Sequence, residues 1–217
     1  MRGIPRKSVL LVLSLCSTAA CGAKVETGAG RVSLGLRDGS QPIGDSTGAT
    51  STSDGAIFHG MVMLEQISLQ PTDSGDDADR VVLYDQRVNV DLMTLYAVTR
   101  SLVEDAIVPV DHYSDLSLVI SGGFIEIGGL GVFASPDYPF VPAGKLVAGE
   151  LRMPSFGWSG LNLTLPDGGL ALDSDAERVV QVDFDVSRSF GLDAGTSGAW
   201  VMHPVIHATE AGQPGWR

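Results

Sequence analysis

Val180-Gln181-Val182-Asp183-Phe184-Asp185-Val186 alternates apolar and polar residues at every step. A period of two puts Val180, Val182, Phe184 and Val186 on one face of a strand and Gln181, Asp183 and Asp185 on the other. One face is suited to a core and the other to solvent, as in a sheet buried on a single side. The same rhythm recurs in both directions from this segment. Downstream, Trp200-Val201-Met202-His203-Pro204-Val205-Ile206-His207 reads as a closing strand, with Pro204 marking an edge or a bulge. Upstream, Leu161-Asn162-Leu163-Thr164-Leu165 alternates, Pro166-Asp167-Gly168-Gly169 is a turn, and Leu170-Ala171-Leu172 returns. Leu116, Leu118 and Ile120 alternate until Gly122-Gly123 breaks the run, and Phe124-Ile125-Glu126-Ile127 restarts it. Short strands are also expected at Leu130 to Phe133, Gly149 to Met153, Met61 to Leu69, Val81 to Tyr84 and Arg31 to Leu36. One segment breaks the pattern: from Asp91 to Glu104, Leu92, Leu95, Tyr96, Thr99, Leu102 and Val103 recur near helical spacing. Many short strands, frequent turns and one short helix near 91–104 predict a mainly β protein, a single antiparallel β-sandwich.

The N-terminus has a different character. Arg2, Arg6 and Lys7 precede an apolar run from Val9 to Cys16, and Ser17-Thr18-Ala19-Ala20-Cys21-Gly22 follows. A positive region, a short apolar stretch and small residues at a cleavage point are the parts of an export signal. The apolar run falls well short of the roughly 20 residues a spanning helix needs. The segment resembles the signal peptide of a bacterial lipoprotein, with Cys21 as the lipidated residue; Thr18 stands where such signals commonly carry leucine. Gly22 after the cysteine implies, by the same resemblance, sorting to an outer membrane where the cell has one. The expected organisation is a signal at 1–20, a tether at 21–29, a β-sandwich domain at 30–209 and a tail at 210–217. Residues 38–55 form a polar loop rich in Gly, Ser, Thr and Asp.

Charge and cysteine content exclude several functions. The chain carries 14 basic and 26 acidic residues, a net charge of −12, and loss of Arg2, Arg6 and Lys7 with the signal moves the balance three further negative. Such a surface repels phosphate backbones, so no nucleic-acid partner is expected. It also disfavours lying on an anionic membrane, which leaves attachment to the lipid on Cys21. Cys16 departs with the signal, so the domain holds no disulfide and folds by core burial alone. No phosphate-cradling glycine pattern occurs, and the one Gly-x-Ser-x-Gly match, Gly44-Asp45-Ser46-Thr47-Gly48, falls in the polar loop rather than at the strand-to-helix turn a nucleophile elbow requires.

From Gly30 to Ala208 the order of segments resembles the bacterial domain-of-unknown-function 4382 family of exported lipoproteins. The residues that carry the likeness are Arg31 to Asp38, Val90-Asp91-Leu92 with Leu95, Val110-Asp111-His112-Tyr113 leading into Leu116-Ser117-Leu118-Val119-Ile120, and Val182-Asp183-Phe184-Asp185 with Met202-His203-Pro204-Val205-Ile206. Asp111-His112 stands where the family often has Ala-Gly, and Gly39-Ser40 where it often has Ala-Pro. The resemblance implies a sandwich-like envelope domain with no established chemistry.

Three groups of residues are candidates for chemistry or binding. Asp183 and Asp185, two apart on a strand, share a face and offer hard oxygen ligands for calcium or a carboxylate pair for glycan cleavage; the alternative is that they line a solvated face. Asp73, Asp76, Asp77 and Asp79 form an acidic turn, a second calcium candidate without the spacing of an EF-hand loop. Tyr138 and Phe140 lie in a proline-punctuated loop, with Phe156 and Trp158 downstream. These rings either stack on sugars or anchor a partner, or they pack over one end of the sandwich as a lid. His203 and His207 would lie about 13 Å apart on a strand, too far to share one ion. The expected function is therefore that of a lipid-anchored bacterial cell-envelope protein acting as a non-catalytic binding or structural module, with no cofactor. Its expected partners are the membrane, through the lipid, and a surface glycan or envelope protein. The alternatives are a calcium-stabilised adhesin or glycan-binding module, and an envelope hydrolase using Asp183 and Asp185.

Overall fold

The computed structural model describes residues 28–39, 50–74, 79–96, 98–136, 138–153, 160–193 and 198–211. The elements in chain order are β1 (Ala29–Arg37), β2 (Thr50–Ser51), β3 (Ala56–Pro71), β4 (Val81–Tyr84), β5 (Val88–Asp91), β6 (Arg100–Pro109), β7 (Asp111–Ile127), β8 (Gly131–Ala134) and β9 (Val147–Arg152). They continue with β10 (Leu161–Thr164), β11 (Leu170–Leu172), β12 (Glu177–Phe184), α1 (Val186–Ser189), β13 (Phe190–Leu192), β14 (Trp200–Met202) and β15 (Ile206–Ala211). The protein is mainly β, as the alternation predicts. The strands form two sheets: a four-stranded one in the order β15-β12-β1-β6, and an eleven-stranded one built around β3 and β7.

The two sheets share one core. Val32, Leu34 and Leu36 of β1 and Val180, Val182 and Phe184 of β12 face it from the smaller sheet. Ile67 and Leu69 of β3, Leu116 and Leu118 of β7 and Leu163 of β10 face it from the larger. The inward residues of Val180 to Val186 are those the period of two selects. The pairing is not wholly antiparallel, which corrects the expected antiparallel sandwich. β1 runs parallel to β12, and β9 runs parallel to both β8 and β14. Long excursions through the larger sheet separate β1 from β12 in sequence, so nothing forces them into opposite directions.

Four local readings need correction. The helix expected near 91–104 does not form; the short α-helix of the described residues is α1, elsewhere in the chain. Asp91 Oδ1 accepts from the Met93 amide at 2.9 Å and Val98 N–H donates to Thr94 at 3.3 Å, so a single turn closes. That turn already buries Leu92 and Leu95, and the chain then pairs with β1 as β6. Tertiary pairing outweighs a helical period this short. Gly122-Gly123 does not break its strand either, because β7 is continuous over 17 residues. A Cβ on Gly123 would lie 2.5 Å from the Met61 carbonyl oxygen, so the glycine serves close approach to β3. β10 and β11 do not turn back on one another: both pair with β7, in line, and the intervening residues bulge outward with Asp167 at φ 55°. The strand expected from Trp200 to His207 divides at Pro204, with β14 in the larger sheet and β15 in the smaller. Proline has no amide to donate to a ladder, and here it marks the passage between sheets.

A second passage sits between β6 and β7, where Val110 alone separates a strand of one sheet from a strand of the other. The wholly buried Tyr113 reaches back across this corner, and its hydroxyl donates to the Pro109 carbonyl at 2.9 Å. This is the arrangement of a tyrosine corner, in which a phenol ties a strand to the backbone a few residues upstream. Burial, and to a lesser degree the charge of Asp111, push the Tyr113 phenol up from 10.0 to about 12. Its contribution to stability is complete below the ordinary phenol pKa and is lost as pH rises from 10 towards 12. Tyr113→Phe leaves the Pro109 carbonyl without this donor and is expected to cost about 1–3 kcal/mol, read from the urea midpoint at neutral pH. The deficit should shrink above pH 10, where the wild type alone pays to keep a buried phenol protonated.

Candidate functional site

The structure places the expected site residues in separate regions. Asp183, next to the last residue of β12, lies opposite Arg37 of β1 and forms an ion pair with its guanidinium. That bond ties the two parallel strands together. Asp185 lies beyond the end of β12 and does not share a strand face with Asp183. It caps α1: Oδ1 accepts from the Arg188 amide at 3.0 Å and from the Ser187 hydroxyl at 2.7 Å. Asp-Val-Ser-Arg-Ser is a sequence in which the aspartate outcompetes further strand, because its side chain satisfies an amide the helix leaves open. Ser189 completes the junction, donating to the Asp185 carbonyl at 2.6 Å and accepting from the Val205 amide at 2.9 Å. The Asp183 carboxylate thus joins two strands, and the Asp185 carboxylate caps α1.

In the acidic turn, Asp73 and Asp79 are exposed, and Asp76 and Asp77 lie outside the described residues. Asp79 accepts from the Ser74 hydroxyl at 2.7 Å. The turn is fastened to the larger sheet by Arg80, whose guanidinium donates to Gln70 at 2.9 Å and to Ser117 at 3.0 Å. No group of three or more metal-ligating side chains comes together among the described residues. Cys21, Phe156 and Trp158 also lie outside them.

Tyr138 and Phe140 do come together, on the outer face of the larger sheet. The segment after β8 folds back across that face. Ser135 pins it there, exchanging backbone and hydroxyl hydrogen bonds with Gly123 at 2.9–3.3 Å. Tyr138 then packs beside Phe124 with ring centroids 6.0 Å apart, over a small second core of Met63, Phe124, Val132 and Ala134. Gly122 makes room for it, since a Cβ there would lie 3.1 Å from the tyrosine ring. The hydroxyl of Tyr138 donates to Asn89 at 2.9 Å, and burial raises its pKa. Phe140 stacks edge-on against Tyr138 at 5.8 Å and remains half exposed. Of the two readings of these rings, Tyr138 follows the lid and Phe140 alone keeps a free face.

An ion-pair cluster missed at the level of sequence holds the far end of this lid. Glu126 of β7 sits opposite His59 of β3. Its carboxylate accepts from Lys145 Nζ at 2.5 Å and contacts His59 Nδ1 at 2.9 Å. Hydrogen bonds from Lys145 first, then His59, hold the Glu126 carboxyl below its ordinary pKa. A usable signal was present, because Lys145 is the only lysine after Lys24. The cluster's contribution is present above the ordinary carboxylate pKa and is lost as pH falls through the lowered value. Glu126→Gln is therefore expected to speed cleavage after Lys145 by a lysine-specific protease about two- to fivefold, the range open to an exposed ion pair. The near-ultraviolet circular dichroism of the wild type should lose lid signal on acid titration, and that of the variant should start lower and respond less.

A cavity lies elsewhere, on the smaller sheet. It has a volume of about 230 Å³ and is lined by Ser33, Gly35, Thr99, Ser101, Glu104 and Val179, among others. β6 creates it by bulging. Glu104 and Asp105 together face Ser33, and one further residue is inserted between the partners of Leu34 and Gly35. Asp105 takes φ 50° to do so, held by its amide donating to Ser33 Oγ at 3.1 Å. Bulges of this kind re-aim side chains and open a sheet surface.

Comparison with curated proteins and with solved structures finds no match. The family described as Domain of unknown function (DUF4382) matches residues 30–204, a span that runs from β1 to the proline between β14 and β15. The ion-paired strand ends, the tyrosine corner and the bulged β6 all fall within it, and the chain belongs to the DUF4382 family.

Proposed function

We propose that this chain is a lipid-anchored protein of the bacterial cell envelope whose β domain serves as a non-catalytic binding or structural module. The observation that carries the reading is the signal-like segment ending in Ala19-Ala20-Cys21, placed a few residues ahead of a folded domain. The family match begins at residue 30 and the first strand at Ala29. The intervening tether, fully extended, reaches about 25 Å. No helix among the described residues is long and apolar enough to cross a membrane.

The manner in which the chain enters the domain supports the same reading. Gly28 accepts from the Val110 amide at 3.1 Å, and Ala29 accepts from the Asp175 amide at 2.9 Å. The tether therefore leads to the corner between β6 and β7. The exposed carboxylates of Asp111, Asp173, Asp175 and Glu177 cluster in the same region. An acidic end beside the tether gains nothing from an anionic bilayer, so attachment falls to the acyl chains, of which a stable anchor needs more than one. Asp183 and Asp185, the carboxylates best suited to glycan cleavage, are occupied in pairing with Arg37 and in capping α1, which supports a module over a hydrolase.

Cells fed labelled palmitate are expected to incorporate it into the wild-type chain and not into Cys21→Ser, and the variant should leave the detergent phase for the aqueous phase. Wild-type protein that stays unlabelled while a control lipoprotein labels would overturn the anchor.

A further inference from the structure

The cavity beside the bulges of β6 combines features that select one ligand chemistry. Its base is apolar, with the nearly buried Val179 on it. Its walls carry the hydroxyls of Thr99 and Ser101 and the carboxylate of Glu104. None of these three side-chain polar groups has a hydrogen bond or ion pair among the described residues. Most other polar side chains on the smaller sheet are engaged, Arg37 with Asp183 and Ser33 with Asp105 among them. Gly35 fixes the shape, because a Cβ there would come within 2.7 Å of Thr99 Cγ2 and drive that side chain outward.

An apolar base with one carboxylate and two hydroxyls at its rim fits a positive head on a short apolar stem. The volume of about 230 Å³ is below the roughly 300–1,000 Å³ of pockets for drug-sized molecules. It suits a group the size of one side chain. The net charge of −12 raises the local concentration of cations and disfavours anionic ligands. The geometry points to a binding site for a primary ammonium on an unbranched alkyl stem, with the stem on Val179 and the ammonium between Glu104 and the Ser101 and Thr99 hydroxyls. A lysine side chain of a peptide and a free alkylamine share that chemistry. The inference deepens the binding-module reading proposed above and is independent of the lipid anchor.

The test is a titration of the purified full-length protein, followed by NMR, with pentylamine, Nα-acetyl-lysine amide, 1-pentanol and glucose as separate probes. Pentylamine is expected to saturate in the millimolar range and 1-pentanol not to bind. Tighter binding of the lysine amide than of pentylamine would assign the site to peptide, and the reverse order to free amines. Glu104→Gln is expected to weaken the amine about three- to tenfold, and Ser101→Leu to abolish binding by filling the cavity. Both residues are exposed, so unchanged thermal melting serves as the control for folding. Amine binding unaffected by either variant, or no saturable amine binding, overturns the inference. Glucose binding that Ser101→Leu abolishes, without amine binding, overturns the ammonium assignment and leaves the module reading standing.

Discussion

The pairing of β7 with β3 is the seam on which the larger sheet is built, and the architecture follows from how the other partners of these two strands are supplied. β7 is 17 residues long, and its central residues are buried. Every backbone amide and carbonyl in that stretch must find a partner or incur the cost of a buried, unpaired polar group. On one side β3 answers nearly the full length, from Ile57 opposite Ile127 to Pro71 opposite Tyr113. On the other side short strands take the two ends, β8 from Phe124 to Ile127 and β10 and β11 in line from Asp111 to Leu118, and Ser135 bonds Gly123 between them. The larger sheet grows from this pair, since β2, β4 and β5 attach through β3, and β9, β14 and β13 through β8.

Two of the crossings between this sheet and the smaller one are fastened by side chains. At the first, β6 becomes β7 across Val110, and Tyr113 fastens the bend. At the second, β14 becomes β15 across Pro204, and Ser189 and Asp185 fasten it from α1. Of the polar residues that attract attention in the sequence, Asp185 lies at the second of these joints, and Asp183 ties β12 to β1 within the smaller sheet. The surfaces left for interaction are the outer faces, one partly covered by the Tyr138 lid and the other opened by the bulges of β6.

Strand character was legible wherever one face is buried and the other wet. Val180 to Phe184 and Val32 to Leu36 are found as read, because burial on one side writes a period of two into the residues. Sheet membership was not legible: nothing local distinguishes Met202 in one sheet from Ile206 in the other, and only Pro204 hints at a break. The segment after Asp91 misleads because Leu92 and Leu95 fit one helical turn as well as a long helix. Gly122-Gly123 misleads because a glycine that admits a neighbouring backbone has the same letter as one that ends a strand. For the site, the sequence points to Asp183 and Asp185 by their spacing, whereas their partners Arg37 and the α1 amides arise only from folding. The Glu126 cluster and the β6 cavity depend on pairing and bulges, which have no sequence period at all.

If the pairing of β3 with β7 governs the fold, its amides should be the last to open. Native-state hydrogen exchange read residue by residue tests this directly. The account predicts that the central amides of β7, from Leu116 to Ile125, and their partners in β3 exchange only through global unfolding, with the smaller sheet opening at lower free energy. Slower exchange in β1 and β12 than in β3 and β7, or independent opening of the two halves of β7, would contradict it.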